Sequence, residues 1–176
     1  MRFLAISGSL RSASSNTTLL RVAAAVAPAP IEVQLYEGLG DLPHFNPDLD
    51  GEVALPAVAD FRAQLQQSDA VLICSPEYAH GVPGVLKNAL DWVVGSGELL
   101  GKPVALLNAK PSATFAQASL TETLMVMMAK IDPDASIALS LGTNKVDEAA
   151  LMTNTEITGA LREAMLTLAR VVEKSQ

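Results

Sequence analysis

Residues 3–20 read FLAISGSLRSASSNTTLL, and they contain the most informative transition in the chain. A short apolar run passes through a loop of glycine and serine, and apolar residues then recur at helical spacing. A strand that turns through such a loop into a helix directs backbone N–H groups, and the positive end of the helix dipole, toward one point. The pattern therefore suits a bound phosphate group.

The side chains of this loop allow two interpretations. Ser, Asn and Thr before a helix often serve only as N-caps of that helix. Here the guanidinium of Arg11 stands three residues after Gly8, and a charged donor in that place favours a dianionic ligand. We favour the phosphate site and leave the N-cap interpretation open.

Composition limits the classes of function that the chain can have. Its 176 residues are 49% hydrophobic, without internal repeats or a linker, and they predict a single domain spanning residues 1–176. No apolar run reaches the roughly 18 residues that cross a bilayer. The net charge of −7 argues against nucleic acid as a partner. Cys74 is the only cysteine and the N-terminus enters a strand without a secretory signal, so we expect a cytoplasmic protein.

Short apolar segments alternate with helical patterns five times. The predicted strands are Arg2–Ser7, Ile31–Tyr36, Ala70–Cys74, Pro103–Asn108 and Ser136–Ser140. The predicted helices are about Asn16–Ala27, Pro56–Gln67, Gly84–Val94, Phe115–Lys130 and Thr155–Glu173. This alternation predicts an α/β fold with a parallel sheet between two layers of helices.

In open parallel sheets, ligands bind beyond the carboxyl ends of the strands, where the strand order reverses. By analogy with the flavodoxin-like order 2-1-3-4-5, that crevice lies between the first and third strands. We therefore expect one site formed by the loops Gly8–Asn16, Ser75–Pro83 and Ala109–Thr114.

A second motif, SPEYAHGVPGVLKNALDW, occupies residues 75–92 after the third strand. Its prolines and glycines predict a stiff, extended loop that displays Glu77, Tyr78 and His80. Tyr78 suits a platform for a planar ligand, but it can equally be a packing residue. Glu77 can be a surface charge or can bind backbone N–H groups of the loop, and for His80 we favour a solvent-exposed position.

The GSLR…S.N loop, joined in order to PEY…G.PG.LKNALDW, resembles the NADPH-dependent FMN reductase family, which includes flavin, quinone, chromate and azo-dye reductases. The resemblance covers the first two thirds of the chain. It implies a flavodoxin-like, three-layer fold with a five-stranded sheet, and FMN at the switch point. The implied reaction is ping-pong hydride transfer from NADPH or NADH, via FMN, to a flavin, a quinone or a similar small acceptor.

The resemblance also implies which residues bind the cofactor. The FMN phosphate would be surrounded by Ser9, Arg11, Ser14, Asn16 and Thr17. The isoalloxazine ring would be lined by Pro76, Glu77, Tyr78, Ala79 and Gly81. Many relatives have a Gly-Gly pair after the fourth strand, whereas this chain reads NAKPSATFAQ at 108–117, where Ser112 is the candidate contact. For Phe115 we favour a core position over a place beside the ring.

Hydride transfer needs no nucleophile because the cofactor carries the chemistry, so we assign no catalytic residue. His44, His80 and the lone cysteine have no metal-ligand spacing, and we expect no metal site. The resemblance implies a homodimer or homotetramer. The alternative function is a flavodoxin-like electron carrier or redox-sensing FMN protein without NAD(P)H oxidation of its own. The acceptor, the NADH or NADPH preference, and whether FMN is bound permanently or released are left open.

Overall fold

The computed structural model describes residues 1–51, 53–141 and 147–175. Its strands are β1 (Arg2–Ser7), β2 (Glu32–Leu35), β3 (Ala70–Cys74), β4 (Pro103–Asn108), β5 (Lys130–Ile131) and β6 (Ile137–Ala138). Its α-helices are α1 (Ser15–Val26), α2 (Pro56–Gln66), α3 (Gly84–Val94), α4 (Thr114–Val126), α5 (Glu148–Thr153) and α6 (Thr155–Glu173). Two short 3₁₀ helices, Gly38–Asp41 and Pro47–Leu49, lie between β2 and α2.

The strands form a parallel sheet in the order β2-β1-β3-β4-β5, with β6 also paired to β4. The register aligns Ser7 at the end of β1 with Cys74 at the end of β3. Leu107 of β4 aligns in turn with Cys74 and with Ile137 of β6. The predicted flavodoxin-like order is therefore confirmed, and the loops after β1, β3 and β4 meet at one edge.

Each face of the sheet is covered by its own group of helices, as the alternation of strand side chains requires. Phe3 and Ala5 point into a core built mainly with α1 and α6. Leu4 and Ile6 point into a second core built with α2, α3 and α4. These four side chains are at most 2% exposed, so β1 is buried on both faces. No helix in the described part of the chain is long and apolar enough to cross a membrane.

The fifth strand differs from the prediction, because two short strands replace the continuous Ser136–Ser140 segment. β5 pairs with the start of β4 and β6 with its end. Between them Pro133 supplies no N–H to a ladder, and the Ser136 hydroxyl accepts the backbone N–H of Leu106 at 3.0 Å. A side chain thus takes the place that a continuous strand would fill.

Other boundaries changed for local reasons. The predicted helix Phe115–Lys130 ends instead at Val126, because Met128 adopts a positive φ of 59° and reverses the chain. Lys130 therefore belongs to a strand. The second strand is shorter than Ile31–Tyr36, and the short helix α5 was not predicted.

Candidate cofactor site

A cavity of about 630 Å³ lies at the carboxyl edge of the sheet. Volumes of roughly 300–1,000 Å³ are usual for small-molecule and cofactor sites. We call the three loops that border it loop 1 (residues 8–14), loop 3 (residues 75–83) and loop 4 (residues 109–113). Its lining comprises Ser9, Arg11, Ser14, Ser15, Asn16, Ser75, Pro76, Glu77, Tyr78, Ala109, Lys110, Pro111, Ser112, Ala113, Ser140 and Leu141.

Loops 1 and 3 touch where β1 and β3 end. The backbone N–H of Gly8 donates to the Cys74 carbonyl at 2.9 Å. A Cβ on residue 8 would lie 2.6 Å from the Ser75 Oγ and 3.2 Å from the Leu86 Cδ2. Only glycine fits this contact without a shift, so Gly8 fixes how loop 1 leaves the sheet.

Loop 1 ends at the N-terminus of α1, where Ser14 is the N-cap and its Oγ accepts the Thr17 N–H at 3.3 Å. The cap interpretation is thus confirmed for this side chain, which also lines the cavity. The N–H groups of Ser15 and Asn16 precede the first intrahelical bond, so the helix itself supplies them with no acceptor. Capping and anion binding are compatible here because they use different N–H groups.

The donors at this end of the cavity fit the phosphate of FMN. Arg11 is exposed and brings a full positive charge, while Ser9 and Asn16 are 8% and 7% exposed. Hydroxyl, amide and guanidinium groups line the cavity at the N-terminus of α1, which is the positive end of the helix dipole. The donor set matches a dianion.

Thr17 is the one predicted phosphate residue that does not line this cavity. Its Oγ1 lies 2.8 Å from the Ser7 Oγ, and its backbone N–H is bound by Ser14. It faces a smaller cavity of about 230 Å³ on the β2 side of loop 1, which also includes Arg11 and Arg21. Thr17 therefore stabilises loop 1 through its contacts with Ser7 and Ser14 and does not line the larger cavity.

Loop 3 displays Tyr78 on a tight turn. The N–H of Tyr78 donates to the Gly81 carbonyl at 3.1 Å, and the N–H of Gly81 donates back at 2.9 Å. Ala79 and His80 occupy the two central positions with φ of 50° and 58°, a left-handed conformation usually reserved for Asn and Gly. The turn leaves Tyr78 at the cavity wall with 51% of its surface exposed, whereas Ala79 and Gly81 shape the turn without lining the cavity.

Two contacts join loop 3 to the start of α4. The Glu77 Oε2 accepts the Ala116 N–H at 2.8 Å and caps a helix whose own N-cap residue, Ala113, has no capping side chain. His80 stacks on Phe115 with ring centroids 4.2 Å apart and an interplanar angle of 13°. The expected core position of Phe115 is wrong, since the side chain is 55% exposed and packs on the turn instead.

Loop 4 is held by Asn108 at the end of β4. Its Oδ1 accepts the Lys110 N–H at 2.9 Å, and its Nδ2 donates to the Ala113 carbonyl at 3.4 Å. The side chain of one residue therefore closes a loop that contains no glycine. Ser112 lines the cavity as predicted, and Lys110 beside it adds a second cation.

Among the residues that the structure describes, the charged side chains that line the cavity are Arg11, Lys110 and Glu77. The Glu77 carboxylate already accepts a hydrogen bond from the backbone, so the two cations favour an anion in a chain with a net charge of −7. Behind the wall, burial raises the pKa of the Cys74 thiol to about 12, and a hydrogen bond from the Ala109 backbone only partly opposes that rise. The thiol is therefore protonated at neutral pH.

Eight of the eleven predicted cofactor residues share the cavity wall: Ser9, Arg11, Ser14, Asn16, Pro76, Glu77, Tyr78 and Ser112. The other lining residues in the three predicted loops are Ser15, Ser75, Ala109, Lys110, Pro111 and Ala113, whereas sequence reasoning missed Ser140 and Leu141. The last two follow β6 at the same edge. Applying the rule for carboxyl ends to the last strand as well would have found them.

Comparisons with known proteins agree with this geometry. A sequence model described as NADPH-dependent FMN reductase matches residues 1–144. An NAD(P)H-dependent FMN reductase of Pseudomonas aeruginosa is 37% identical over 132 residues, which are 72% of this chain and 71% of that protein. A quinone reductase of Escherichia coli is 38% identical over 109 residues, or 60% of this chain and 58% of the reductase.

The fold is also similar to that of FerB from Paracoccus denitrificans, a flavoenzyme NAD(P)H:(acceptor) oxidoreductase. The TM-score is 0.78 at 29% identity, over 99% of this chain and 98% of FerB. The match of the sequence model to most of the chain, with both motifs inside the matched range, establishes the relationship. The chain belongs to the NADPH-dependent FMN reductase family.

Proposed function

We propose that this protein binds FMN in the 630 Å³ cavity and catalyses its reduction by NADPH or NADH, with a flavin, a quinone or a similar small molecule as final acceptor. The observation that carries the proposal is the position of the cavity, which extends from the N-terminus of α1 to the Tyr78 turn of loop 3. One end offers donors for a phosphate, and the other offers a stiff wall for a planar ring.

The phosphate binds at loop 1. Arg11 supplies the charge, Ser9 and Ser14 supply hydroxyls, and Asn16 supplies an amide. Hydrogen bonds from charged donors are about twice as strong as neutral ones, so Arg11 contributes most to the affinity. Thr17 contributes through its bond to Ser7, which holds the first turn of α1 against β1.

The ring binds between loops 3 and 4. Pro76 and Tyr78 form one wall, and Glu77 holds the start of α4 at a fixed distance from it. Ala79 and Gly81 belong to the turn that sets the direction of Tyr78, and Ser112 faces the ring from loop 4. Bound FMN would supply the chemistry of hydride transfer between the nicotinamide and the acceptor.

The protein's own residues bind the flavin, orient it and polarise it. Lys110 at loop 4 and the donors of loop 1 favour negative charge in the cavity, and negative charge is what a flavin gains on reduction. No side chain of the cavity wall is assigned a proton transfer.

We further propose that the chain forms one domain, assembles into a homodimer or homotetramer, and acts in the cytoplasm. Support for assembly comes from apolar side chains exposed around the hydrogen bond between Gly101 and Met128. Leu100, Val126 and Met128 are 61%, 72% and 65% exposed there. Support for the location comes from the single cysteine. Light scattering on the wild type and on Val126→Glu tests the assembly, and a lower mass for the variant is expected.

Two assays test the activity. The purified protein with FMN should oxidise NADPH or NADH continuously once a quinone is added, and its visible flavin absorption should bleach when the nucleotide is added without oxygen. An electron carrier would bind FMN and show its spectrum without bleaching. A protein that neither binds FMN nor supports oxidation would contradict the proposal.

A further inference from the structure

The buried thiol of Cys74 joins the end of β3 to the first turn of α1 beside the cavity. Cys74 ends β3 and is 0% exposed, and its Sγ lies 3.2 Å from the Asn16 Oδ1. This side chain therefore contacts the first turn of α1, where Asn16 lines the cavity.

The protonation state of Cys74 determines which atom donates in its hydrogen bond with Asn16. Burial raises the pKa of the Cys74 thiol to about 12, so the sulfur carries its proton. The S–H donates to the Asn16 Oδ1 at 3.2 Å. A flipped amide would turn an N–H donor toward the sulfur and leave the buried S–H without this acceptor.

This direction decides which end of the Asn16 amide faces the cavity. Asn16 is 7% exposed and lines the cavity, and its Nδ2 has no protein acceptor among the described residues. No fully buried side-chain nitrogen or oxygen atom of those residues lacks a partner. The Nδ2 is therefore not sealed in the core but open to the cavity, as a donor beside Ser14 and the α1 N-terminus.

We propose that Cys74 is a positioning residue, which holds the Asn16 amide so that its N–H₂ donates to the phosphate of the bound flavin. The inference rests on the proposed function, and it makes Cys74 a determinant of the preference for FMN over riboflavin. Without the thiol the amide can rotate and present its oxygen to the phosphate, and two acceptors then face each other.

The test compares the dissociation constants of FMN and riboflavin for the flavin-free protein, measured by quenching of flavin fluorescence. Cys74→Ala should raise the dissociation constant of FMN about 5-fold, the scale of one neutral hydrogen bond. The dissociation constant of riboflavin should stay unchanged. Cys74→Ser keeps a donor of similar size and should restore most of the FMN affinity. Equal weakening of both flavins, or no weakening of FMN, would overturn the inference.

Two further variants keep the test decisive if Cys74→Ala folds poorly. Asn16→Asp has the same shape with no donor, so it should weaken FMN more than riboflavin. In an Asn16→Ala background, a further Cys74→Ala change should no longer alter FMN binding, because the group that it positions is gone. Additive effects in this double variant would contradict the positioning role.

The wild type separates this inference from the proposed function. Wild-type protein that binds FMN no more tightly than riboflavin would remove the phosphate site itself, and the inference with it. A wild type that prefers FMN, together with a Cys74→Ala variant that prefers it equally, would overturn the inference alone.

Discussion

Loops 1 and 4 both follow buried parallel strands and border the same cavity, but they are built in opposite ways. Loop 1 has Gly8 at its tight contact and keeps several donors open to the cavity. Loop 4 has no glycine and uses hydrogen bonds to hold its own shape, with both ends of the Asn108 amide bound to its backbone. Loop 1 leaves polar groups open to the cavity, whereas loop 4 is held by hydrogen bonds to its own backbone.

Loop 4 keeps its shape without glycine, since residues 109–113 read AKPSA. Asn108 at the end of β4 holds the loop itself, and Glu77 from loop 3 holds the start of α4 that follows it. The comparison therefore predicts strong ligand effects from loop 1 and mainly stability effects from the supports of loop 4.

The largest loss of FMN affinity is expected from a substitution in loop 1. Arg11→Ala should weaken FMN binding by about 1.5–3 kcal/mol, because it removes a charged donor from the phosphate. Riboflavin binding and the free energy of unfolding should stay near wild type, since the Arg11 side chain is exposed. Fluorescence titration with both flavins measures the effect, and Arg21→Ala on the neighbouring cavity is the matched control. Unchanged FMN affinity in Arg11→Ala would remove the assignment of loop 1.

A substitution at Tyr78 in loop 3 should weaken flavin binding without affecting folding. Tyr78→Ala should weaken flavin binding by about 1 kcal/mol, the scale of one aromatic contact. The free energy of unfolding, measured with denaturant, should change by less than about 0.5 kcal/mol because the side chain is half exposed. A variant that instead unfolds would identify Tyr78 as a packing residue.

The support of loop 4 should affect stability first. Glu77→Ala removes the acceptor at the start of α4 and should lower the free energy of unfolding by about 1 kcal/mol. Amide exchange in the first turn of α4 should become faster. Glu77→Gln keeps an acceptor oxygen and should lose less stability than Glu77→Ala. Glu122→Ala, on an exposed face of the same helix, is the control. Wild-type stability in Glu77→Ala would mean that loop 4 does not depend on this cap.

The smallest effect concerns the charge on loop 4. Lys110→Ala should weaken FMN by about 0.2–1 kcal/mol, and the loss should shrink at high salt because an exposed cation is screened. Lys174→Ala, far along the chain at the end of α6, should have no such effect. A loss as large as that of Arg11→Ala would contradict the division between the two loops.

Much of the fold could be predicted from the sequence because its signals are local. The bounds of β1, β3, β4, α3 and α6 agree with the prediction, since each is a periodic segment between turn residues. The split between β5 and β6 could not be predicted, because it depends on the Ser136 hydroxyl bonding Leu106, thirty residues earlier. The early end of α4 depends on the φ of Met128, a residue type with no preference for that conformation.

The same distinction applies to the site. Loop 1 could be predicted because glycine, hydroxyls and arginine follow one another between a strand and a helix. The cap from Glu77 to Ala116 spans 39 residues and the contact of Cys74 with Asn16 spans 58, so no local pattern reveals them. Phe115 was expected in the core on its hydrophobicity alone, yet its partner is the His80 ring on loop 3.

The most direct test of the proposed cofactor site is a crystal structure of the protein with FMN. We expect the phosphate at the N-terminus of α1, within hydrogen-bonding distance of Arg11 and the Asn16 Nδ2, and the ring against Pro76 and Tyr78. A phosphate bound away from loop 1, or a ring outside the cavity between loops 3 and 4, would contradict the central claim.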